Sequence, residues 1–360
     1  MDCDMDVGMD GILQLLGNGA GIRDRSGRGR LVLLGEDRLR FLQGQATQRV
    51  DNLPQWSGAY TTFVSQKGRM EGDGYIYVMP DEVLLDLSEG TGCGIKKRLE
   101  DYIVSDDVEV VDATEYYTSV GIHGKMAATL LEKSGITSLD NTPAPHSFEI
   151  HKITHPEFGE IYISSPDTRL GQEYDIFVSL DSFSKLKLRI FEASEKCDFP
   201  VKEISDSQWA FIRIHGGVPK FGVDLTGNNL PPEAGLDKFG ISYNKGCYIG
   251  QEVLNRLRAM GSVTRKLVGV SIHGLEINDV FQSSDGLQLA HDGRNCGVIS
   301  SMVFSSEQNN VIGLAMVKKP YWEMGQRLDI DPGGLKKSEE NPFAVVRELP
   351  FYDLLRAEIL

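Results

Sequence analysis

The sequence predicts an α+β protein that ends in a small all-β barrel. Three observations carry this reading. Strand-like and helix-like segments alternate through the first ~215 residues, the pattern of sheets covered by helices on one face. A long stretch of low periodicity follows, "GGVPKFGVDLTGNNLPPEAGLDKFGISYNKGCYIGQE", rich in Gly, Pro and Asn. Beyond Gly261 come short, glycine-punctuated strands, "TRKLVGVSIHG", "GLQLAHDGRNCGVISSMVF" and "VIGLAMVKK", the texture of a barrel.

Taken in order, the opening residues are Gly- and Asp-rich and read as a flexible segment over 1–28. Leu31 to Leu34 reads as a buried strand, and Asp37 as the cap of a short helix carrying Leu39, Phe41 and Leu42. "YIYVMPDEVLLDL" is strand, Pro-Asp turn, strand. "GIKKRLEDYIV" puts Ile95, Leu99, Tyr102 and Ile103 on one helical face. "VEVVDAT" and "YTSVGIHG" read as strands, "KMAATLLEKSG" as a helix closed by Gly135, "YDIFVSL" as a strand and "KLKLRIFEASEKC" as a helix. After the aperiodic stretch, "QEVLNRLRAMG" reads as a helix with Val253, Leu254 and Leu257 inward and Gly261 at its end. Compact domains rarely tolerate so long a structureless stretch as 216–250 unless it has a task. The predicted organisation is a flexible segment 1–28, an α+β region 29–262, a barrel 263–348 and a tail 349–360.

The chain's 360 residues, 41% apolar and 25% charged, suffice for real hydrophobic cores. Its five cysteines, Cys3, Cys93, Cys197, Cys247 and Cys296, are scattered and odd in number, with no CxxC pair. That pattern predicts neither a disulfide framework nor a zinc site, and points to a reducing compartment. No apolar run reaches the ~18 residues of a membrane span, so no membrane association is expected. The N-terminus, "MDCDMDVGMDG", has neither the apolar core of a secretory signal nor the Arg/Ser bias of an organelle-targeting peptide. A net charge of −15 argues against nucleic acid as the main partner. An anionic small molecule still fits where basic residues cluster.

Three places hold chemistry-bearing residues. Cys247 stands in "KGCYIGQEV", between a glycine and a tyrosine and just before a predicted helix N-terminus. The helix dipole and Lys245 would both favour its thiolate. The alternative is an inert cysteine in a glycine-rich turn. Past Glu252 no acidic residue occurs until Glu276, while Arg256, Arg258, Arg265 and Lys266 do. This basic run would suit a carboxylate ligand, or is a solvated helix face with Glu252 and Arg256 paired. Finally, "SQKGRMEGDGYIYV" sets Lys67, Arg69 and Asp73 among three glycines at a strand mouth. Asp73 there either accepts hydrogen bonds from a heterocycle or satisfies a polar turn. The seven histidines are isolated. "GTGCG" and "GNGAG" lack the spacing of a dinucleotide fingerprint.

"KGCYIGQEVLNR" resembles the K-G-C-Y-x-G-Q-E-x-x-x-R signature of a folate-binding family, the iron–sulfur maintenance branch of the glycine-cleavage T-protein (aminomethyltransferase) superfamily. "GEDRLRFLQGQATQRVDNL", "QKGRMEGDGYIY", "IRIHGGVPKFGVDL", "LPPEAGL", "GRNCGVISS" and "VIGLAMV" extend the resemblance over roughly Leu31 to Leu328. It implies a three-subdomain cloverleaf with a C-terminal barrel, binding tetrahydrofolate or another reduced folate. It implies that Cys247 is the functional thiol, that Lys245, Tyr248, Gln251, Glu252, Arg256 and Arg69 shape the site, and that Asp73 faces the folate's reactive nitrogens. Cys247 would be a transient iron or cluster ligand, with no resident metal. The implied partners are iron–sulfur carrier or client enzymes. The chain would be a monomer, cytoplasmic in a bacterium and otherwise in the mitochondrial matrix or plastid stroma.

The sequence also departs from the transferases. His215 replaces the glutamate of Arg-x-Glu, Gln172 stands at the Gly-Glu step, and paired aspartates reduce to Gly72–Asp73. Three roles follow from the resemblance: a folate-dependent cluster assembly or repair factor, an aminomethyltransferase using Asp73, and a non-enzymatic scaffold for a cluster carrier.

Overall fold

The computed structural model describes residues 11–275, 280–306, 308–332 and 341–352. They divide into two compact units that interleave along the chain. The sheet unit combines 15–204 with 236–260, and the barrel unit combines 205–235 with 11–14 and the described residues from 261 onward. Segment 205–235 thus goes with the barrel, whereas the sequence placed it in the α+β region.

The strands of the sheet unit are β1 (Ala20–Asp24), β2 (Gly29–Leu34), β3 (Ser57–Val64), β4 (Met70–Val78), β5 (Val83–Leu87) and β6 (Glu109–Asp112), followed by β7 (Tyr117–His123), β8 (Ile150–His155), β9 (Gly159–Ser164), β10 (Glu173–Ser179) and β11 (Val201–Glu203). Helix α1 (Gly11–Asn18) opens the chain, and α2 (Arg38–Gln45), α3 (Gly92–Tyr102), α4 (Ala127–Lys133) and α5 (Leu180–Ser194) lie between strands. One sheet runs β11-β1-β7-β10-β9-β8 and the other β3-β4-β5-β2-β6. Only β11 joins in parallel, on β1. A single bridge, Ser57 to Glu149, ties the β3 edge to the segment entering β8.

The opening of the chain corrects the sequence reading. Residues 1–10 lie outside the described residues, but α1 and β1 fill most of the remaining segment expected to be flexible. Ile12, Leu13, Leu15 and Leu16 are buried. The Asp/Gly-rich composition masked "ILQLL", whose apolar residues suffice to anchor a short helix. Elsewhere the predicted faces hold in part. Ile95 and Leu99 of α3 pack with Leu42 of α2 on Leu31, Ile76 and Leu85, but Tyr102 is 39% exposed. Asp37 precedes α2 without a side-chain cap; its carboxylate accepts from the Asp107 N–H instead. Gly135 closes α4 with a φ of +72°, as expected of a helix-terminating glycine.

Between the two sheets lies a buried ionic cluster. The Arg25 guanidinium reaches Glu173 and Asp175 of β10 and stands 3.5 Å from Asp86 of β5. All four side chains are at most 3% exposed. Arg28 donates to Asp86 at 2.7 Å, and Arg30 donates to the Ser119 hydroxyl on β7. Burial pushes the Asp175 carboxyl up to about 7, against the pull of Arg25. Burial likewise holds the His123 imidazolium down to about 4, so this ring is neutral near neutral pH.

The barrel unit holds α6 (Asp206–His215), and the excursion 236–260 of the sheet unit adds α7 (Asp237–Gly240) and α8 (Gln251–Met260). Strands β12 (Arg265–His273), β13 (Phe281–His291), β14 (Arg294–Ser305), β15 (Asn310–Lys318), β16 (Arg327–Ile330) and β17 (Phe343–Arg347) close into a ring in the order β12-β15-β14-β13-β16-β17. Cys296 is fully buried in its core. A polar knot explains why 205–235 belongs here. Arg213 pairs with Asp224 at 2.6 Å and donates to Ser301 and Gln282, and Asp224 accepts from Ser300 and Ser301. His215 bonds the Phe211 carbonyl and lies 3.0 Å from the Ser305 hydroxyl, a satisfied buried group rather than a ligand. Of the expected tail, Phe351 and Tyr352 donate backbone N–H groups to the His215 carbonyl; 353–360 lie outside the described residues.

Replacing Arg25 with Met leaves three buried carboxylates without their shared cation. Such breakage costs about 3–5 kcal/mol. Because protonation then relieves the repulsion, the deficit relative to wild type should shrink as pH falls from about 8 to about 5. Urea unfolding of both proteins at the two pH values checks this; an equal deficit at both would sink it.

Candidate functional site

Asp73 occupies the middle of β4, between Gly72 and Gly74. The two glycines face away from it and allow close packing. A Cβ on Gly74 would sit 2.4 Å from the Asp86 carbonyl, and one on Gly72 would crowd Thr91 and Ile95 of α3. Asp73 itself pairs in register with Thr62 of β3. Its Oδ2 accepts from the Tyr60 hydroxyl at 2.7 Å, while its Oδ1 is shielded from water and has no donor among the described residues. A desolvated acceptor of this kind costs roughly 1–3 kcal/mol until a donor reaches it. The residue is only half-buried, and the terminal torsion of Asp is soft, so a small rotation presents Oδ1 to a ligand. Burial raises the Tyr60 hydroxyl well above the phenol range and Asp73 reinforces this, so Tyr60 stays protonated and donates.

The signature segment packs beside this strand pair. Lys245 donates its ammonium to the carbonyls of Ala46 and Gln48, both at 2.8 Å, and lies 4.9 Å from the centre of the Tyr248 ring. Between those carbonyls, the Thr47 hydroxyl is 2.8 Å from that of Thr62 and donates to the Gly240 carbonyl. Lys245 is thus one threonine pair away from Asp73. Burial pulls its pKa down to about 7; Asp51 opposes this and Arg49 adds to it. These Lys245 donors go to backbone carbonyls of the segment after α2.

Tyr248 is buried against Val64, Ile241 and Leu254, and its hydroxyl has no hydrogen-bond partner among the described residues. Gly250 must be glycine. It has a φ of +82°, and a Cβ there would lie 2.6 Å from the Ser65 carbonyl. That contact seats the turn carrying Lys67 and Arg69 directly under the signature, with the Arg69 N–H bonded to Ser65 Oγ.

Cys247 is exposed, as are Glu252 and Arg256, and Gln251 is half-buried at the start of α8. Glu252 and Arg256 form no ion pair, so the pairing offered with the solvated-face alternative is absent, and of the three residues read as inward on α8 only Leu254 is buried. Lys245, Tyr248, Arg69 and Asp73 therefore belong to one packed framework, and Cys247, Glu252 and Arg256 form an outward face. Gln172 donates to the Tyr174 hydroxyl next to the buried charge cluster. Sequence reasoning missed Tyr60, Thr47 and Thr62. An alternating "YTTF" reads as an ordinary strand, and only register shows that its polar face meets Asp73.

Lys245 makes a pH-dependent contribution. Its folded value lies below the ordinary lysine value, so stability is lost as pH falls from about 10 toward about 7. Wild type should therefore gain stability on going from about pH 7 to about pH 9 relative to Lys245→Met. A constant difference in urea midpoint across that range would refute it.

The GCVT N-terminal domain family matches residues 13–245, and the glycine cleavage T-protein C-terminal barrel domain matches residues 265–353. A chloroplastic protein of Arabidopsis thaliana that bears a transferase name is 26% identical over 95% of this chain and 73% of its own. An aminomethyltransferase of Bacteroides thetaiotaomicron is 25% identical over 93% of this chain and 88% of its own. One of Thermoanaerobacter pseudethanolicus is 24% identical over 87% and 82%. In structure, the glycine cleavage system aminomethyltransferase T of Bartonella henselae superposes with a TM-score of 0.81 over 97% of this chain and 91% of that one, at 15% identity. The fold is that of the aminomethyltransferases, and the chain belongs to the glycine cleavage T-protein family.

Proposed function

We propose that this protein binds tetrahydrofolate or another reduced folate at Asp73, and that it serves the assembly or repair of iron–sulfur clusters in selected enzymes through Cys247. The observation that carries the reading is the placement of Cys247: a free, exposed thiol on a segment whose backbone is clamped by Lys245 and Gly250. A structural cysteine is normally buried. An exposed thiolate is a natural ligand for iron or for a cluster carried as cargo. One thiolate fills one coordination position, so the carrier or client enzyme supplies the rest.

The donor set fits a reduced pterin. Its N–H edge would satisfy the Oδ1 of Asp73, whose other oxygen Tyr60 fixes. A bound folate would supply one-carbon or reducing chemistry; Asp73 and Tyr60 would hold its heterocycle, beside the Thr47–Thr62 hydroxyl contact. The same orphaned Asp73 oxygen favours a second reading, aminomethyl transfer with Asp73 as the working carboxylate, and curated relatives carry that name. In it Cys247 would be dispensable.

Two assays separate the readings. Cys247→Ala should abolish rescue of cluster-dependent enzymes in cells lacking the protein while leaving tetrahydrofolate binding within about twofold; Asp73→Asn should weaken that binding by roughly tenfold or more. Full rescue by Cys247→Ala, together with methylene-tetrahydrofolate formation from an aminomethylated lipoyl carrier that depends on Asp73, would establish the transferase instead. Rescue that needs Cys247 without any folate affinity would mark a scaffold.

A further inference from the structure

Arg169 stacks on Phe239 near the Asp73 strand pair and pairs with no carboxylate among the described residues. Arg169 lies in the connection between β9 and β10, in "SSPDTRLGQEY". Its backbone adopts a φ of +63°, held by an N–H bond to the Asp167 carboxylate. Left-handed backbone is uncommon outside glycine, and where it occurs it often marks a functional constraint. The guanidinium stacks 4.7 Å from the ring centre of Phe239, which is 42% exposed. On a chain of net charge −15, this arginine forms no ion pair among the described residues.

The stack leads directly to Asp73. Phe239 belongs to α7, and the next residue, Gly240, lies so close to the Tyr60 ring that a Cβ there would be 3.0 Å from it. The Phe239 carbonyl accepts from Gln48 Nε2 at 2.9 Å, and that of Gly240 accepts from the Thr47 hydroxyl. Tyr60 in turn donates to Asp73. The Arg169 charge also reaches the Tyr60 hydroxyl, where it pulls downward against burial and Asp73. The site therefore runs from an acceptor inside, at Asp73, to an aromatic face and a cation outside, at Phe239 and Arg169. Such a gradient matches a ligand with N–H donors at one end, a flat middle and an anion at the other.

We propose that Arg169, supported by Phe239, is a specificity-determining residue that binds a carboxylate on the tail of the ligand whose heterocycle is held at Asp73. This rests on the reduced-folate reading, in which the carboxylate belongs to the glutamate tail. The stack fixes the guanidinium plane, so less freedom is lost when it takes up an anion.

The test is calorimetric titration of wild type, Arg169→Gln, Arg169→Lys and Phe239→Leu with tetrahydrofolate and with its α,γ-diamide, in which both tail carboxylates are neutral. Wild type should prefer tetrahydrofolate, and Arg169→Gln should lose roughly tenfold or more toward it while binding the diamide nearly as wild type does. Arg169→Lys should recover part of the loss, and Phe239→Leu should fall between. Equal weakening of both ligands by Arg169→Gln, or of neither, would overturn the assignment and leave the folate reading standing. Failure of wild type to bind either ligand would bring down the folate reading and this assignment together.

Discussion

Arg25 is the interaction on which the sheet unit depends. One guanidinium serves carboxylates from two sheets, Asp86 on one and Glu173 and Asp175 on the other. Each partner has lost its water, so each is tolerable only while the others stay in place. Hydrophobic contacts between sheets can slide by an ångström or two at small cost. A hydrogen-bonded charge cluster cannot. It fixes β5 against β10, and through them the strands that carry the candidate site.

That fixation matters because the site draws on both sheets. Tyr60, Thr62 and Asp73 come from β3 and β4, whereas Arg169 precedes β10 by a few residues. The acceptor at Asp73 and the cation at Arg169 are thus supplied by segments of different sheets. Sites held by rigid elements on both sides keep their geometry better than sites built on a single loop. The excursion Leu236–Met260 then covers the strand pair, with Lys245 and Thr47 sealing its backbone to the segment after α2.

How much of this was legible in the sequence depended on distance along the chain. Strands β4 and β5 and helices α3, α4 and α8 follow from local periodicity and turn chemistry, which act over a few residues. The barrel was readable from its glycine punctuation, and Cys247 from its polar neighbours. The N-terminal helix was hidden by surrounding Asp and Gly, since composition averages over a window that four apolar residues cannot dominate. The target of Lys245 was not readable, because its acceptors, Ala46 and Gln48, lie some two hundred residues upstream. Nor were Tyr60 and Arg169: each is an unremarkable residue in its own segment and acquires a role only through register and tertiary placement. The same holds for Arg25, Arg28 and Arg30, which look like a solvated basic turn until the sheets close over them.

The interleaving of the two units has a consequence for synthesis on the ribosome. When Glu203 emerges, both sheets of the sheet unit have all their strands, and β11 can dock beside β1. Yet the Thr47 hydroxyl, the backbone of Ala46 and Gln48 and the face of Tyr60 still await Gly240 and Lys245. The intervening chain, 205–235, belongs to a unit whose barrel strands have not yet been made. A nascent chain whose sheets form as they emerge would therefore hold an open strand pair, covered only after Met260 leaves the exit tunnel. A chain interrupted within that interval would carry the buried charge cluster intact and no finished site.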